Sequence, residues 1–441
     1  MGLGDKIAKA VDLLKAKAIR DFEVYGSATD TIRAESKECS TGFLNRSNES
    51  GISIRILNEG SLGFAYGPDA SEELIDAAIS SARYQFKDEH NHIPPYFDTY
   101  IGMDLVDHSV ANLSVDDCIS QAISLEKTAR DADSRVKQVR KASFSRSIAS
   151  THIVNSHGID ISSDSTFVSA SIMVMVKDSD DTQSGYEFDL GHCMADIDIE
   201  KIGADAVKNA TDMLFAKKIR TMKIPVVFDN TTTAQMLDFI SDAFVGENVL
   251  KGKSYLQDKM GKTCFSSTIT LTDNPLDKRS AGACPYDGEG CPSRKTVLVE
   301  DGTVLAFLYD NYWGRVAGKR STGNSVRSGY RSVPALGFRH ICMEPGKEDL
   351  TQKMRGLKQL LKITDIMGMH TANPITGEFS VGVNGLLLND NSVLYPVREA
   401  ALSGNIYEMF SRVGAVGNDV REFGHVLCPS VLIEEMDISS Q

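Results

Sequence analysis

Apolar residues recur at helical spacing at Ile7, Val11, Leu14 and Ala18, and that period predicts an amphipathic helix at the start of the chain. The period then drops to two: from Asp21 to Tyr66 alternating runs, among them Ile52, Ile54 and Ile56, are broken by Gly and Asn, which predicts a meander of strands. Ser71 before Glu72 and Glu73 opens a helix to about Tyr84, and Ser114 before Asp116 and Asp117 opens another, because a hydroxyl caps free amides and acids suit the positive end of a helix. His90 to Asp107 is a polar, proline-containing connection between them. Period two returns from Val136 to Leu190, with an Asn155-Ser156-His157-Gly158 turn and the apolar run Ile172 to Val176, and a helix from about Ile199 to Lys217 follows.

The second half begins with a short β-branched strand, Lys223 to Asp229, and a helix from about Thr231 to Phe244. A loop-rich stretch leads to strands around Thr296 to Leu308 and then to a basic Gly/Ser segment. The chain finishes with strands from Phe379 to Val397 around an Asn389-Asp390-Asn391 turn, a helix near Asn405 to Val413, and a strand from Ser430 to Ile438. Strands in runs with helices beside them, rather than in strict alternation, predict an α+β fold of two lobes, each with largely antiparallel sheets flanked by helices. A chain of 441 residues with 41% hydrophobic positions is long enough to divide its core. We place the division at residues 1–220 and 221–441.

Charge narrows the function. The formal net charge is −13, with 24 basic and 35 acidic residues up to residue 220 and 23 and 25 after it. An acidic surface repels phosphate backbones, which disfavours nucleic acid as a partner. The eight cysteines contain no Cys-x-x-Cys pair and read as reduced thiols. No apolar run is long enough to span a membrane, and Met1 to Lys6 carries no signal core, so no membrane association and a cytoplasmic location are expected.

Common motifs fail one at a time. Gly246 and Gly252-Lys253-Ser254 have five residues between them where a phosphate loop has four, and they follow a helix. No Gly-x-Ser-x-Gly elbow occurs, and Gly288-x-Gly290 lacks a third glycine, so nucleotide folds and α/β-hydrolases are not supported. The pairs with metal-ligand chemistry are His340-x-Cys342 and His425-x-x-Cys428, which two strands would have to bring together. Between Asn311 and Met343 no acidic residue occurs, while Arg315, Lys319, Arg320, Arg327, Arg331 and Arg339 are interleaved with Gly, Ser, Trp313 and Tyr330. This basic segment reads either as a solvated loop or as a surface for phosphates, an acidic partner or a peptide carboxylate.

Several segments in order resemble one family, the TldD/PmbA proteins, and specifically its PmbA (TldE) branch. They are Ile224 to Phe228, Pro285-Tyr286-Asp287-Gly288-Glu289-Gly290, Ser321 to Asn324, Thr376-Gly377-Glu378-Phe379-Ser380 with Gly382, Tyr395 to Glu399, Ser403 to Asn405 and Val416 to Asp419, with a weaker likeness at Ser50 to Arg55 and Gly63 to Ala65. The resemblance implies a two-lobed α+β fold and a protease complex of TldD-type and TldE-type subunits. In the TldD type, the helix after the first strand of the second lobe carries His-Glu-x-x-x-His, and a cysteine near the C-terminus completes the metal site. A gapless reading places Asp238 and Phe239 at the His-Glu pair and Ala243 at the second His; Cys428 lies in the terminal region of the ligand cysteine.

The resemblance therefore implies the subunit without catalytic residues, metal or cofactor of its own, supporting cleavage of peptides or unfolded proteins by a TldD-like partner that holds zinc. A homodimer is also compatible. Thr376, Gly377, Phe379, Ser380 and Arg398 are the candidates for contact in a substrate cleft built on sheet edges. The alternative is a modulator that acts on a nucleic-acid enzyme or partner protein through residues 315–339, in line with the family's older description as a modulator of DNA gyrase. A third reading makes the chain itself a peptidase using His340, Cys342, His425 and Cys428.

Overall fold

Ser71 and Ser114 each accept a hydrogen bond from the backbone amide three residues on, and the helices Glu72–Tyr84 and Val115–Ala132 begin there. The computed structural model describes residues 2–347 and 349–440. Its first lobe is one antiparallel sheet of β1 (Asp21–Lys37), β2 (Ser40–Asn58), β3 (Ser61–Gly67), β4 (Val136–Asn155), β5 (Asp160–Asp178) and β6 (Asp181–Gly191), in the order β3-β2-β1-β4-β5-β6. The helices Leu3–Ala16 and Glu72–Tyr84 bury Ile52, Ile54 and Ile56 at one end. Val115–Ala132 and Ile199–Asp212 bury Ile32, Phe144 and Ile172 at the other. Two strand glycines let helices lie this close: a Cβ at Gly63 would stand 2.1 Å from the Ala78 carbonyl oxygen, and one at Gly185 2.0 Å from that of Ala206.

The last helix of this lobe ends at Asp212, five residues before the spacing predicts. The Phe215 amide donates to Asp181 at 2.6 Å with φ at +59°, which turns the chain out of the helical path.

In the second lobe five strands close on themselves. Ser392–Asn405 pairs with Glu378–Asn389, which pairs with Leu360–Met367, then Met222–Phe228, then Val431–Ser440, and the last returns to the first through Ala400 to Leu402 against Ile438 to Ser440. Closure removes the free edges that an open sheet exposes. The Asn389-Asp390-Asn391 turn joins two of these strands with φ of +45° and +63° at Asp390 and Asn391, a conformation these side chains tolerate better than most. A second sheet runs Thr303–Val304, Thr296–Glu300, Leu271–Asp273, Ile341–Met343, Val426–Cys428, Arg421–Glu422, and the helix Asn230–Ser241 packs between the two sheets. The fold is thus the expected α+β arrangement of mainly antiparallel sheets. Two pairings are parallel: Met222–Phe228 with Leu360–Met367, and Ile341–Met343 with Val426–Cys428. Among the described residues no helix is long and apolar enough to cross a membrane.

The expected cleft is corrected only in part. Glu378–Asn389 pairs with Ser392–Asn405 from its first residue, but on its other side it pairs with Leu360–Met367 only from Gly382 onward, so Glu378 to Val381 keep one side outside the sheet pairing. Phe379 is a core residue beneath it. Gly377 is fixed by backbone demand, with φ at +80° and a hypothetical Cβ 2.5 Å from the Tyr407 ring. Thr376, Ser380 and Arg398 remain exposed, but the Arg398 backbone is itself covered, its amide donating to the Lys217 carbonyl at 3.1 Å.

Candidate functional site

Three places carry clustered ionisable side chains, two in the second lobe at residues that the sequence singles out and one at the seam between the lobes. The first is the helix Asn230–Ser241, whose N-cap Asp229 accepts from the Thr232 amide. A hydrolytic metal needs imidazoles and an anionic ligand converging on one point. Asp238 instead holds the His425 Nε2 at 3.0 Å, with both side chains half exposed, and Phe239 and Ala243 pack into the core. Cys428 donates its thiol to the Asn230 carbonyl at 3.3 Å. Burial, with Asp229 and Asp419 nearby, pushes that thiol well above its ordinary range. With no histidine on the helix, this donor set does not fit the family's metal.

The second place is the adjoining strand Ile341–Met343 with the residue before it. His340 is buried, with its Nδ1 3.3 Å from Cys342 Sγ and its Nε2 2.8 Å from Glu422. Burial disfavours the imidazolium, but the hydrogen bonds to Cys342 and Glu422 outweigh it and hold His340 up to about 10. Asp277 brings a carboxylate oxygen to within 4.8 Å of both donors, yet Arg279 already binds both of its oxygens, at 3.0 and 2.6 Å. Of the four residues of the peptidase reading, His340 and Cys342 touch; His425 and Cys428 bond elsewhere.

The third place is the seam between the lobes. Glu23 on β1 accepts two bonds from Arg55 on β2, at 3.0 and 2.6 Å, and one from Arg327 of the second lobe. Arg55 reaches back across the seam to Glu289 at 3.0 Å. Glu289 also accepts from the Asn311 side-chain amide at 2.8 Å. The four charged side chains are nearly sealed, at 0% exposure for Glu23, 6% for Arg55, 5% for Glu289 and 1% for Arg327. Two further buried carboxyls lie beside them. Burial and the neighbouring Glu289 push Asp287 up to about 6 and Asp310 up to about 7, even though Asp287 accepts three backbone amides at 2.9 to 3.0 Å.

The basic segment is therefore not one solvated stretch. Arg327 belongs to this buried cluster, where Glu23 compensates its charge, and its Nε donates to the Gly288 carbonyl at 2.6 Å; the expectation of a surface cation fails there. Arg331 lies over its neighbour Tyr330, and Arg339 bonds Ser293 at 2.6 Å. Arg315, Lys319 and Arg320 are exposed on and after a short helix, Asn311–Val316. With Arg294 they border an open cleft of about 810 Å³, whose apolar wall includes Phe97, Ile101 and Pro292. Sequence reasoning gave Glu23, Arg55, Asp310 and Asn311 no role. The available signal was Arg55 in period two with Ile54 and Ile56, a charge on a strand face that the second lobe covers.

Three domain models of PmbA/TldA metallopeptidases match the chain: domain 1 over residues 43–83, the central domain over 108–214 and the C-terminal domain over 221–440. Metalloprotease PmbA of Escherichia coli O157:H7 is 26% identical over 100% of this chain and 96% of its own length. The zinc metalloprotease TldD homolog of Saccharolobus solfataricus is 23% identical over 94% of this chain and 91% of its own. The crystal structure of TldE from Thermococcus kodakarensis matches with a TM-score of 0.91 at 23% identity, over 98% of this chain and all of that one, a likeness of fold.

Proposed function

The chain belongs to the PmbA/TldD family of metallopeptidases, and from that premise we propose that it is the subunit of a two-subunit protease that carries no metal. A TldD-like chain would hold zinc and cut peptides or unfolded proteins. The observation that carries this reading is the helix Asn230–Ser241, where Asp238, Phe239 and Ala243 offer no imidazole. In a metallopeptidase a bound cation activates the attacking water, and Asp238 paired with His425 does not replace one. A surface for a partner is available: β2 pairs with β3 only from Ile52 onward, so Ser40 to Gly51 present an unpaired edge with Phe43 and Leu44 in solvent. Such an edge is a ready template for strand addition.

The test is reconstitution. Each chain is purified alone, its zinc is measured, and cleavage of an unfolded protein is followed for each chain and for the mixture. The reading expects no zinc-dependent cleavage by this chain alone, and a complex whose activity exceeds that of the TldD-like chain. One zinc per polypeptide with cleavage by this chain alone would overturn it, as would failure to form any complex.

A further inference from the structure

We propose that the cleft beside the lobe seam binds an acidic peptide segment. Its volume of about 810 Å³ lies within the ~300–1,000 Å³ typical of ligand sites. Four cations border it, and among the described residues none has a carboxylate partner. Arg294 donates to the Ser321 carbonyl at 2.5 Å, Arg315 to the Glu89 carbonyl at 3.3 Å, Lys319 lies 5.5 Å from the Tyr309 ring centre, and Arg320 reaches into the cleft. Among the described residues no carboxylate lines the cleft. The nearby Glu289 is committed to Arg55 and Asn311.

In a protein of net charge −13, four cations gathered without anions repel one another, and an anion placed among them relieves that repulsion. Arginine is also suited to grip a carboxylate with two parallel bonds. The apolar wall of Phe97, Ile101 and Pro292 decides the kind of anion. A ligand that meets both surfaces carries carboxylates and apolar side chains together, as a peptide does. A nucleic acid presents an unbroken row of phosphates, which the acidic surface outside the cleft repels. The inference rests on the protease-subunit reading and extends it by naming a substrate class: the subunit would hold acidic stretches of the chain that its partner cuts.

The test uses the whole chain alone. Fluorescence anisotropy follows binding of a labelled twelve-residue peptide of Glu and Leu, its Lys and Leu counterpart, and a twelve-nucleotide oligothymidine. Arg294 and Arg320 are exposed, so R294S/R320S and R320S alone should fold; K9S/K137S removes two exposed lysines elsewhere. We expect saturable, salt-sensitive binding of the Glu peptide, weakened at least tenfold by R294S/R320S, at least threefold by R320S and less than twofold by K9S/K137S. Equal binding of the Lys peptide, tighter binding of the oligonucleotide, or indifference to R294S/R320S would overturn the proposal. Failure of the protease reading shows separately: the Glu peptide would bind this chain, yet addition of the chain to a TldD-like protein would give no gain in cleavage.

Discussion

Replacing Glu23 with glutamine asks how firmly the buried cluster joins the lobes. Glu23 is fully buried and takes bonds from Arg55 and from Arg327, one on each side of the seam. With charges about 4 Å apart and an effective dielectric of about 20, each pair is worth ~4 kcal/mol of Coulomb attraction. Desolvation offsets much of that attraction, but removing one partner leaves the other charge buried and bare, which typically costs ~3–5 kcal/mol. Glutamine also turns an N–H toward one guanidinium, so a donor meets a donor.

At ~2–4 °C per kcal/mol for domains of this size, E23Q should lower the melting temperature by about 6–20 °C. Thermal and urea unfolding of E23Q, R327M and E23Q/R327M complete a double-mutant cycle. The double variant should lose less than the sum of the singles, because R327M removes the cation that E23Q strands. A fall of less than 2 °C for E23Q, or strict additivity in the cycle, would refute the claim that this pair holds the seam.

Three further outcomes are expected. Asp310 is raised by burial and by Glu289 to about 7 from an ordinary 3.8, so its folded form keeps a proton that the unfolded chain loses. Its contribution to stability therefore falls as pH climbs from about 4 to 7. D310N, which still caps the helix, should gain on the parent in urea midpoint at pH 8 relative to pH 5; an equal gain at both values would sink this reasoning. His340 is raised from 6.5 to about 10, so its stabilisation is complete below about 6.5 and lost as pH rises through 10. H340Q should cost more stability at pH 7 than at pH 10.5, and a cost independent of pH would count against it. G377A should cost ~2–4 kcal/mol in thermal unfolding, from the left-handed backbone and the Tyr407 contact together. G368A shares a positive φ but meets nothing within 4 Å and should cost ~1–2 kcal/mol; equal losses would show that the contact is not the cause.

Local signals were easy to read from the sequence and distant ones were not. Ser71 and Ser114 announce their helices because capping is settled within four residues. The Asn155-Ser156-His157-Gly158 turn joins β4 to β5 for the same reason. The barrel closure depends on Ala400 to Leu402 meeting Ile438 to Ser440, and nothing in either segment marks the other. The expectation of Phe379 as a cleft contact fails although the signal for the core was present: with Val381 and Val383 it alternates along a strand, and all three are buried. Arg327 gave no such signal, since its anion lies 304 residues away and a basic run carries no mark of which member turns inward. The missing histidines of the helix Asn230–Ser241 could be seen by inspection. The gathering of cations without carboxylate partners at the cleft required the fold, because Arg294 comes beside the segment of Arg320 only through its bond to the Ser321 carbonyl.

The seam cluster also has an order of assembly written into it. Glu23 and Arg55 sit on adjoining strands, opposite each other in register, so their bond belongs to the first lobe and is complete once β1 and β2 pair. Arg327 leaves the ribosome far later and meets an anion that is already positioned. A second lobe produced without the first has no Glu23 for Arg327 and no Arg55 for Glu289, and the rings of Tyr286 and Tyr330, which pack with Tyr25 and Ile153, face water. The first half of the polypeptide thus acts as a template for the second, and separate expression of the C-terminal half forfeits the surface on which it settles.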